Sequence, residues 1–375
     1  MLKTVKIENF RGFQSFELQQ LGRINLLVGK NNSGKTSILE AIQLLCSRNN
    51  LEPLAEVMTN RGEYFFGNDG RGSRQLDIRH LFYGHEIQTG SRFTIWGMND
   101  NISEHVVGSI AIRRSKRPKL HDDSDVDEQL SLLDEDSNDI KKLGFIVKWI
   151  YGGETEDLAF SISSDGGLST EFFRPIYRRS TENTLPRTQF ITSSSLTTEK
   201  MIELFDRVVL TPEETLVQEA LKTIEPRIER IASITQRRSS IDSRGGFVIR
   251  LSDSNQRVPI GSMGDGIWRI LGLALSTVCA KNGFLFVDEI DTGLHFTAMS
   301  DMWKLVWKTA TRLNVQVFAT THNSDCWTSL ASIANQEDAT EDGITIQRVE
   351  REKQTAVAFT QREIVIATQR GIEVR

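Results

Sequence analysis

The chain has 375 residues, 38% of them hydrophobic and 25% charged. That is ordinary globular usage with room for two or three modules at roughly 150 residues each, and it excludes disordered, collagenous and coiled-coil classes. A formal charge of −5 gives no global pull toward nucleic acid or anionic lipid, and no apolar run reaches the roughly 20 residues that span a bilayer.

Within residues 1–18, Val5 and Ile7, then Phe16 and Leu18, alternate with polar partners, the period of two antiparallel strands. Ile24, Leu26, Leu27 and Val28 form a short apolar run ending at Gly29, as a parallel strand covered on both faces requires. Further along, a basic cluster (Arg113, Arg114, Lys116, Arg117, Lys119) gives way to an acidic stretch over residues 122–139, then to strand-like pieces such as residues 145–151. The acidic stretch is too charged to bury much and reads as a mobile loop or a short exposed helix. Over residues 212–234, Leu216, Ala220, Leu221, Ile224, Ile228 and Ile231 mark an amphipathic helical region, with Thr211 as its cap, Pro212 at its first helical position, Glu213 and Glu214 in its first turn and a break at Pro226. An almost wholly apolar helix is expected over residues 267–280. Phe284, Leu285, Phe286 and Val287 lead into Asp288, and Val315, Val317, Phe318 and Ala319 lead into Thr321 and His322. Between these two runs, Met299, Met302, Leu305, Val306 and Ala310 recur at helical spacing, so strand, helix and strand form a crossover unit. The class is α/β, read as a lobe over residues 1–98, an α+β insertion over 99–210, and a helical segment with a second lobe over 211–375. No internal repeat or long heptad region is visible. Three scattered cysteines, Cys46, Cys279 and Cys326, lack the spacing of a zinc site or disulfide framework, and the start MLKTVKIENF lacks an apolar signal region. A cytoplasmic chain with its cysteines in the core and no membrane partner is expected.

Gly29, Lys30, Asn31, Asn32, Ser33, Gly34, Lys35 and Thr36 match G-x-x-x-x-G-K-[ST], directly after a strand and before the helical run Ser37 to Leu45. The glycines let backbone N–H groups converge on phosphate oxygens. The following helix points its positive end at the same anion, Lys35 reaches the β- and γ-phosphates, and Thr36 ligates magnesium. Asp288 and Glu289 emerge at the carboxyl end of a central strand, where α/β sheets place ligands. Asp288 is expected to hold Mg²⁺ and Glu289 to polarise the water that attacks the γ-phosphate of ATP. Two neighbouring acids buried without a cation would cost several kcal/mol or force one to stay protonated.

The order of phosphate loop, Ser262-Met263-Gly264-Asp265-Gly266, apolar-Asp-Glu and a strand ending in His322 resembles an ABC-class ATPase of the SMC/RecF/OLD kind. Val5 to Phe13 (VKIENFRGF) looks like the N-terminal strand of that group, Asp288 to His295 (DEIDTGLH) like its acidic pair and D-loop, and Gly371 to Arg375 like the close of the ATPase domain in OLD-like AAA proteins. The resemblance covers roughly residues 1–45 and 212–375. It implies an ABC-class P-loop ATPase head with a mixed or parallel central sheet and antiparallel N-terminal strands. Ser262 and Gly264 would cap the γ-phosphate bound by a second copy, so that ATP holds a homodimer together. His322 would be the switch histidine, Asp291 and His295 would belong to the D-loop that crosses the dimer interface, and Arg11 would lean on the nucleotide. Met263 departs from the glycine common in relatives, and Gln75 and Gln88 are candidates for the Q-loop glutamine.

Three readings follow. The first is a stand-alone OLD-like AAA ATPase of the anti-phage defence type that gates a separate effector. A Toprim domain follows the ATPase in OLD nucleases and is not expected here, so a nuclease or toxin would be a separate polypeptide. The second is a RecF- or SMC-like ATPase of DNA repair. The third, a transporter ATPase, is disfavoured by the long insertion between Lys35 and Ser262. The basic cluster at 113–119 and Arg174, Arg178 and Arg179 could neutralise DNA phosphates or balance the adjacent acids. The charge-segregated insertion is expected to choose the partner. His80, His85, His105 and His121 show no metal spacing.

Overall fold

The computed structural model describes residues 1–48, 50–67, 74–99, 102–115, 140–163, 165–170, 187–234, 246–254, 256–336 and 343–374. In chain order its elements are β1 (Thr4–Phe10), β2 (Phe13–Leu18), β3 (Ile24–Val28), α1 (Lys35–Cys46), α2 (Glu52–Asn60), β4 (Tyr64–Phe66), β5 (Arg74–Asp77), β6 (Arg92–Met98), β7 (Ser103–Ser115), β8 (Ile140–Tyr151), β9 (Glu154–Ser161), β10 (Gly167–Ser169) and β11 (Thr188–Ile191). They continue as α3 (Thr198–Val208), α4 (Glu214–Ile224), β12 (Ile228–Ser233), β13 (Phe247–Leu251), β14 (Arg257–Pro259), α5 (Asp265–Cys279), β15 (Phe284–Val287), α6 (Phe296–Leu313), β16 (Gln316–Thr320), α7 (Ser324–Gln336), β17 (Ile344–Arg348), β18 (Val357–Phe359) and α8 (Gln361–Gln369). Among the described residues no helix is long and apolar enough to cross a membrane.

The central sheet has the order β11-β15-β16-β3-β17-β18, parallel throughout except for the edge strand β18. Every residue of β3 and β16 is buried, the burden of a strand covered on both faces. Alternate side chains divide the two cores. Leu27, Phe286 and Phe318 face α1 and the antiparallel sheet; Leu26, Val28, Leu285, Val287, Val317 and Ala319 face the layer that includes α3–α7. The antiparallel sheet runs β2-β1-β6-β7-β8-β9; Val5 and Ile7 of β1 bury themselves in the period of two that the sequence shows, and Phe10 is buried after a step of three at Asn9, whose φ is 52°.

Three expectations change. Residues 228–233 are strand β12, paired with β13, because Pro226 ends the helix and the two isoleucines that follow satisfy a strand face equally well. Thr211 does not cap α4; its hydroxyl donates to the Val208 carbonyl, and Glu213 stands at the cap position. The segment 99–210 is not set apart. β7 and β8 extend the N-terminal sheet, β10 pairs with β5, and β11 is an edge of the central sheet. Lys116, Arg117, Lys119, the acidic stretch 122–139, His121, Arg174, Arg178 and Arg179 lie outside the described residues.

A buried ion cluster ties the phosphate-loop helix to the antiparallel sheet. Arg11 Nε lies 2.6 Å from Glu40 of α1, Arg11 Nη1 lies 2.6 Å from Glu63, and Arg61 holds the other oxygen of Glu40 at 2.6 Å. Burial pushes the Glu40 carboxyl up, against the pull of Arg11 and Arg61. Arg11→Met should therefore leave the buried Glu40 with Arg61 as its one remaining cation in the cluster and destabilise the fold by about 3 kcal/mol. A raised folded-state carboxyl loses stability as pH rises through it, so the deficit should be largest at neutral pH and shrink on acidification. Denaturant unfolding at two pH values measures both effects.

Candidate nucleotide-binding site

The loop over residues 29–36 is shaped by what presses on it. Gly29 has φ 144°, and a Cβ there would meet the Val349 carbonyl at 2.4 Å; Gly34 has φ 94°, and a Cβ would strike the Phe13 ring at 2.3 Å. Only glycine fits either place. Phe13, from the N-terminal motif, thus supports the loop from the neighbouring sheet. Lys35 Nζ donates to the carbonyls of Gly29 at 2.8 Å and Lys30 at 2.9 Å. Burial draws its ammonium down, opposed by Asp288 and Glu289.

Residues far apart in sequence meet at the ends of β15 and β16. Thr36 Oγ1 donates to Asp288 Oδ1 at 3.0 Å, and Thr320 Oγ1 donates to the same oxygen at 2.7 Å. The Glu289 N–H donates to Thr320 Oγ1 at 2.8 Å. The Thr36 hydroxyl and the Asp288 carboxylate form an all-oxygen donor set, which suits magnesium held by few protein ligands beside a phosphate chain. They fit that ion, and among the described residues no group of three or more His, Cys, Asp or Glu could hold another. His80 and His85 do approach, Nδ1 to Nδ1 at 3.3 Å, without a third ligand.

Glu289 sits at φ 47°, left-handed for a residue that is not glycine, a conformation that costs about 1–3 kcal/mol unless its surroundings fix it. Arg269, buried in α5, supplies that. Its Nη2 donates to the carbonyls of Asp288 at 3.0 Å and Glu289 at 2.8 Å, and its Nη1 donates to the Thr192 carbonyl at 2.9 Å and to Ser195 Oγ at 3.1 Å. Burial lowers this guanidinium to about 10, which leaves it charged at neutral pH. The half-exposed His322 places Nδ1 at 3.6 Å from Glu289 Oε1.

Lys35, Thr36, Asp288, Glu289 and His322 are therefore brought together. Arg11 is not: its guanidinium is taken up by Glu40 and Glu63 with 4% of the side chain exposed. Asp291, in the expected D-loop, is buried and accepts from Thr321 Oγ1 at 2.7 Å. His295 is exposed and packs on Phe296 at 4.3 Å between ring centroids. Ser262 and Gly264 are exposed at the start of α5. Gly264 has φ 88° and ψ 171°, a glycine-only conformation, whereas Met263 closes a 3₁₀ turn and packs on the core; the departure at Met263 does not fall on the special position. Gln75 pairs with Phe65 and Ser169 in the small sheet, and Gln88 opens the turn before β6. Arg269, Thr320 and Thr321 escaped sequence reasoning. An arginine inside an apolar helix and a Thr-Thr pair before His322 were the available signals.

A family described as "AAA ATPase domain" matches residues 1–151, and one described as "AAA domain, putative AbiEii toxin, Type IV TA system" matches residues 158–325. The chain is 22% identical over 362 residues to an "ATP/GTP phosphatase" of Helicobacter pylori, covering 90% of each protein. It is 29% identical over 168 residues to the "DNA double-strand break repair Rad50 ATPase" of Archaeoglobus fulgidus, covering 40% of this chain and 19% of that one. Among solved structures, an SMC head bound to the C-winged helix domain of ScpA aligns over 96% of this chain and 98% of that one, at 14% identity and a TM-score of 0.46. The chain is thus similar to ATPases of the AAA and Rad50 class.

Arg269→Lys keeps the charge yet cannot hold two carbonyls and the Thr192–Ser195 loop together. It should lower kcat for nucleotide hydrolysis about tenfold while nucleotide Kd stays within about threefold. In a Glu289→Gln background the same substitution should cost nothing further; multiplicative losses would show that Arg269 acts on the fold in general.

Proposed function

We propose that this chain binds Mg-ATP on the loop 29–36, pairs with a second copy around the nucleotide, and hydrolyses it to control a separate effector protein. The observation that carries the reading is the hydrogen-bonded chain Thr36–Asp288–Thr320–Glu289. It sets a phosphate-loop hydroxyl, a metal-binding carboxylate and a water-polarising carboxylate at the same strand ends.

Backbone N–H groups of the loop and the amino end of α1 receive the phosphate oxygens, and Lys35 exchanges its two carbonyl partners for the β- and γ-phosphates. Thr36 and Asp288 would hold magnesium, which would supply positive charge against that of the phosphates. Glu289 accepts a hydrogen bond from the attacking water, and His322, beside it, donates to the γ-phosphate. The exposed Ser262 and Gly264 turn outward, consistent with donors that cap the phosphate of a second copy.

An effector that is a nuclease or toxin, in anti-phage defence, is supported by the toxin-linked description of the family matching residues 158–325. A second reading, a DNA-binding ATPase of repair or maintenance, is favoured by the similarity to Rad50. ATP-dependent DNA binding by the purified chain selects the second; an effector whose activity follows the nucleotide state without DNA selects the first.

Glu289→Gln should retain ATP and lose two or more orders of magnitude in turnover, if the carboxylate contributes about 3 kcal/mol to the barrier. Lys35→Ala should lose nucleotide itself. Unchanged turnover in Glu289→Gln at saturating Mg-ATP removes that residue from the chemistry. For assembly, light scattering of Glu289→Gln should show doubling of mass on adding Mg-ATP, and Ser262→Arg should abolish it. A mass indifferent to both argues against a nucleotide-held homodimer.

A further inference from the structure

The strand order fixes which way a bound nucleotide has to run. β3 carries the phosphate loop and lies between β16 and β17. The groups that would receive the metal and γ-phosphate, Asp288, Glu289 and His322, all follow β15 or β16. A triphosphate with its γ end on that flank has to extend toward the opposite one, where β17 ends. There a cleft of about 540 Å³ opens between Gly29–Ser33 of the loop and the turn formed by Arg348, Val349, Glu350, Arg351 and Glu352, within the ~300–1,000 Å³ usual for small-molecule sites.

Two features of the lining point to a ligand. Ser33 is 6% exposed, and its hydroxyl has no hydrogen-bond partner, which a buried hydroxyl rarely tolerates. The turn is also internally braced: Arg348 Nε lies 2.8 Å from Glu350 and Lys353 Nζ lies 3.0 Å from it, and this pairing with Lys353 and Arg348 holds the Glu350 carboxyl low. That pairing occupies Arg348 and Glu350 and leaves Arg351 and Glu352 exposed at the rim. A guanidinium stacks on the face of a flat heterocycle, and a carboxylate accepts from vicinal hydroxyls. Among the described residues no aromatic side chain lines the cleft.

We propose that this cleft is the nucleoside subsite, with Arg351 against the purine face and Glu352 on the ribose, and that it distinguishes adenine from guanine weakly. The inference rests on the nucleotide reading above and adds the half of the ligand that the phosphate loop does not touch. Reading a base by its face ignores the edge groups in which the two purines differ.

Titration calorimetry of the full chain in Mg²⁺, with ATP, GTP and inorganic tripolyphosphate as separate probes, tests it. The wild type should bind ATP and GTP within about fivefold of each other and tripolyphosphate at least about tenfold more weakly. Arg351→Ala and Glu352→Ala lie on an exposed turn. Each should weaken both nucleotides by about tenfold and leave tripolyphosphate unchanged, which also reports an intact loop. Tripolyphosphate binding as tightly as ATP, or nucleotide affinities indifferent to both substitutions, would overturn the subsite. A preference for ATP over GTP beyond about fiftyfold would overturn the face-reading. Failure of all three probes to bind the wild type removes the phosphate-loop reading itself, and this one with it.

Discussion

The Asp288 carboxylate is the point on which the site depends. It ends β15, receives the hydroxyl of Thr36 from α1 and that of Thr320 from β16, and so fixes three elements to one another where the strands of a parallel sheet present their carboxyl ends. Two hydroxyl donors satisfy one carboxylate in a half-buried place, where an unpaired charge would be costly. Thr320 does more than donate, since its oxygen also accepts the Glu289 N–H. The two acids are thereby told apart by environment: one is turned into the cluster and hydrogen-bonded, and the other is displayed on a left-handed backbone with its side chain 41% exposed. A pair of like charges side by side can hold different roles only if their surroundings differ in this way.

The left-handed turn at Glu289 needs a brace from outside the strand, and the brace comes from α5. That helix begins at Asp265, directly after the exposed Gly264, and one turn later presents Arg269 to the carbonyls of Asp288 and Glu289. Its residues from Ile267 to Cys279 are buried, so the helix moves as a body or not at all. The exposed Gly264 and the carbonyls of the acidic pair are thus joined through one buried helix.

Much of this was legible in the sequence because the signals were local. The three apolar runs before Gly29, Asp288 and Thr321, and the alternation in β1 and β2, each state their period within a few residues. The phosphate loop is legible for the same reason: glycine at two positions, lysine and threonine in fixed order, each with its own task. What stayed hidden depends on distant partners. Nothing near Arg11 says that Glu40 and Glu63 will enclose it, and nothing near Asp291 says that Thr321 will turn it inward. Ile228 and Ile231 are three apart, a spacing that continues a helix as well as it fits a strand bent by the irregularity between Ile228 and Arg230; pairing with β13 decides it. The apparent insertion is woven into both sheets for a related reason, since strand pairing across long separations leaves no trace in composition.

The division between what is fixed and what can vary follows from burial. Glu40, Thr320, Thr321 and Arg269 have no access to solvent worth the name, and each holds a neighbour whose loss of partner would leave a buried charge or dipole unmatched. Substitution there disturbs the fold and the chemistry together. Ser262, Gly264, His295 and the turn from Arg351 to Glu352 are exposed around the same strand ends. They can change without reopening the core, which is how loops on a rigid scaffold come to carry specificity. The strand ends thus hold the buried residues on which the arrangement of the site depends, while the rim holds the exposed residues that can vary around it.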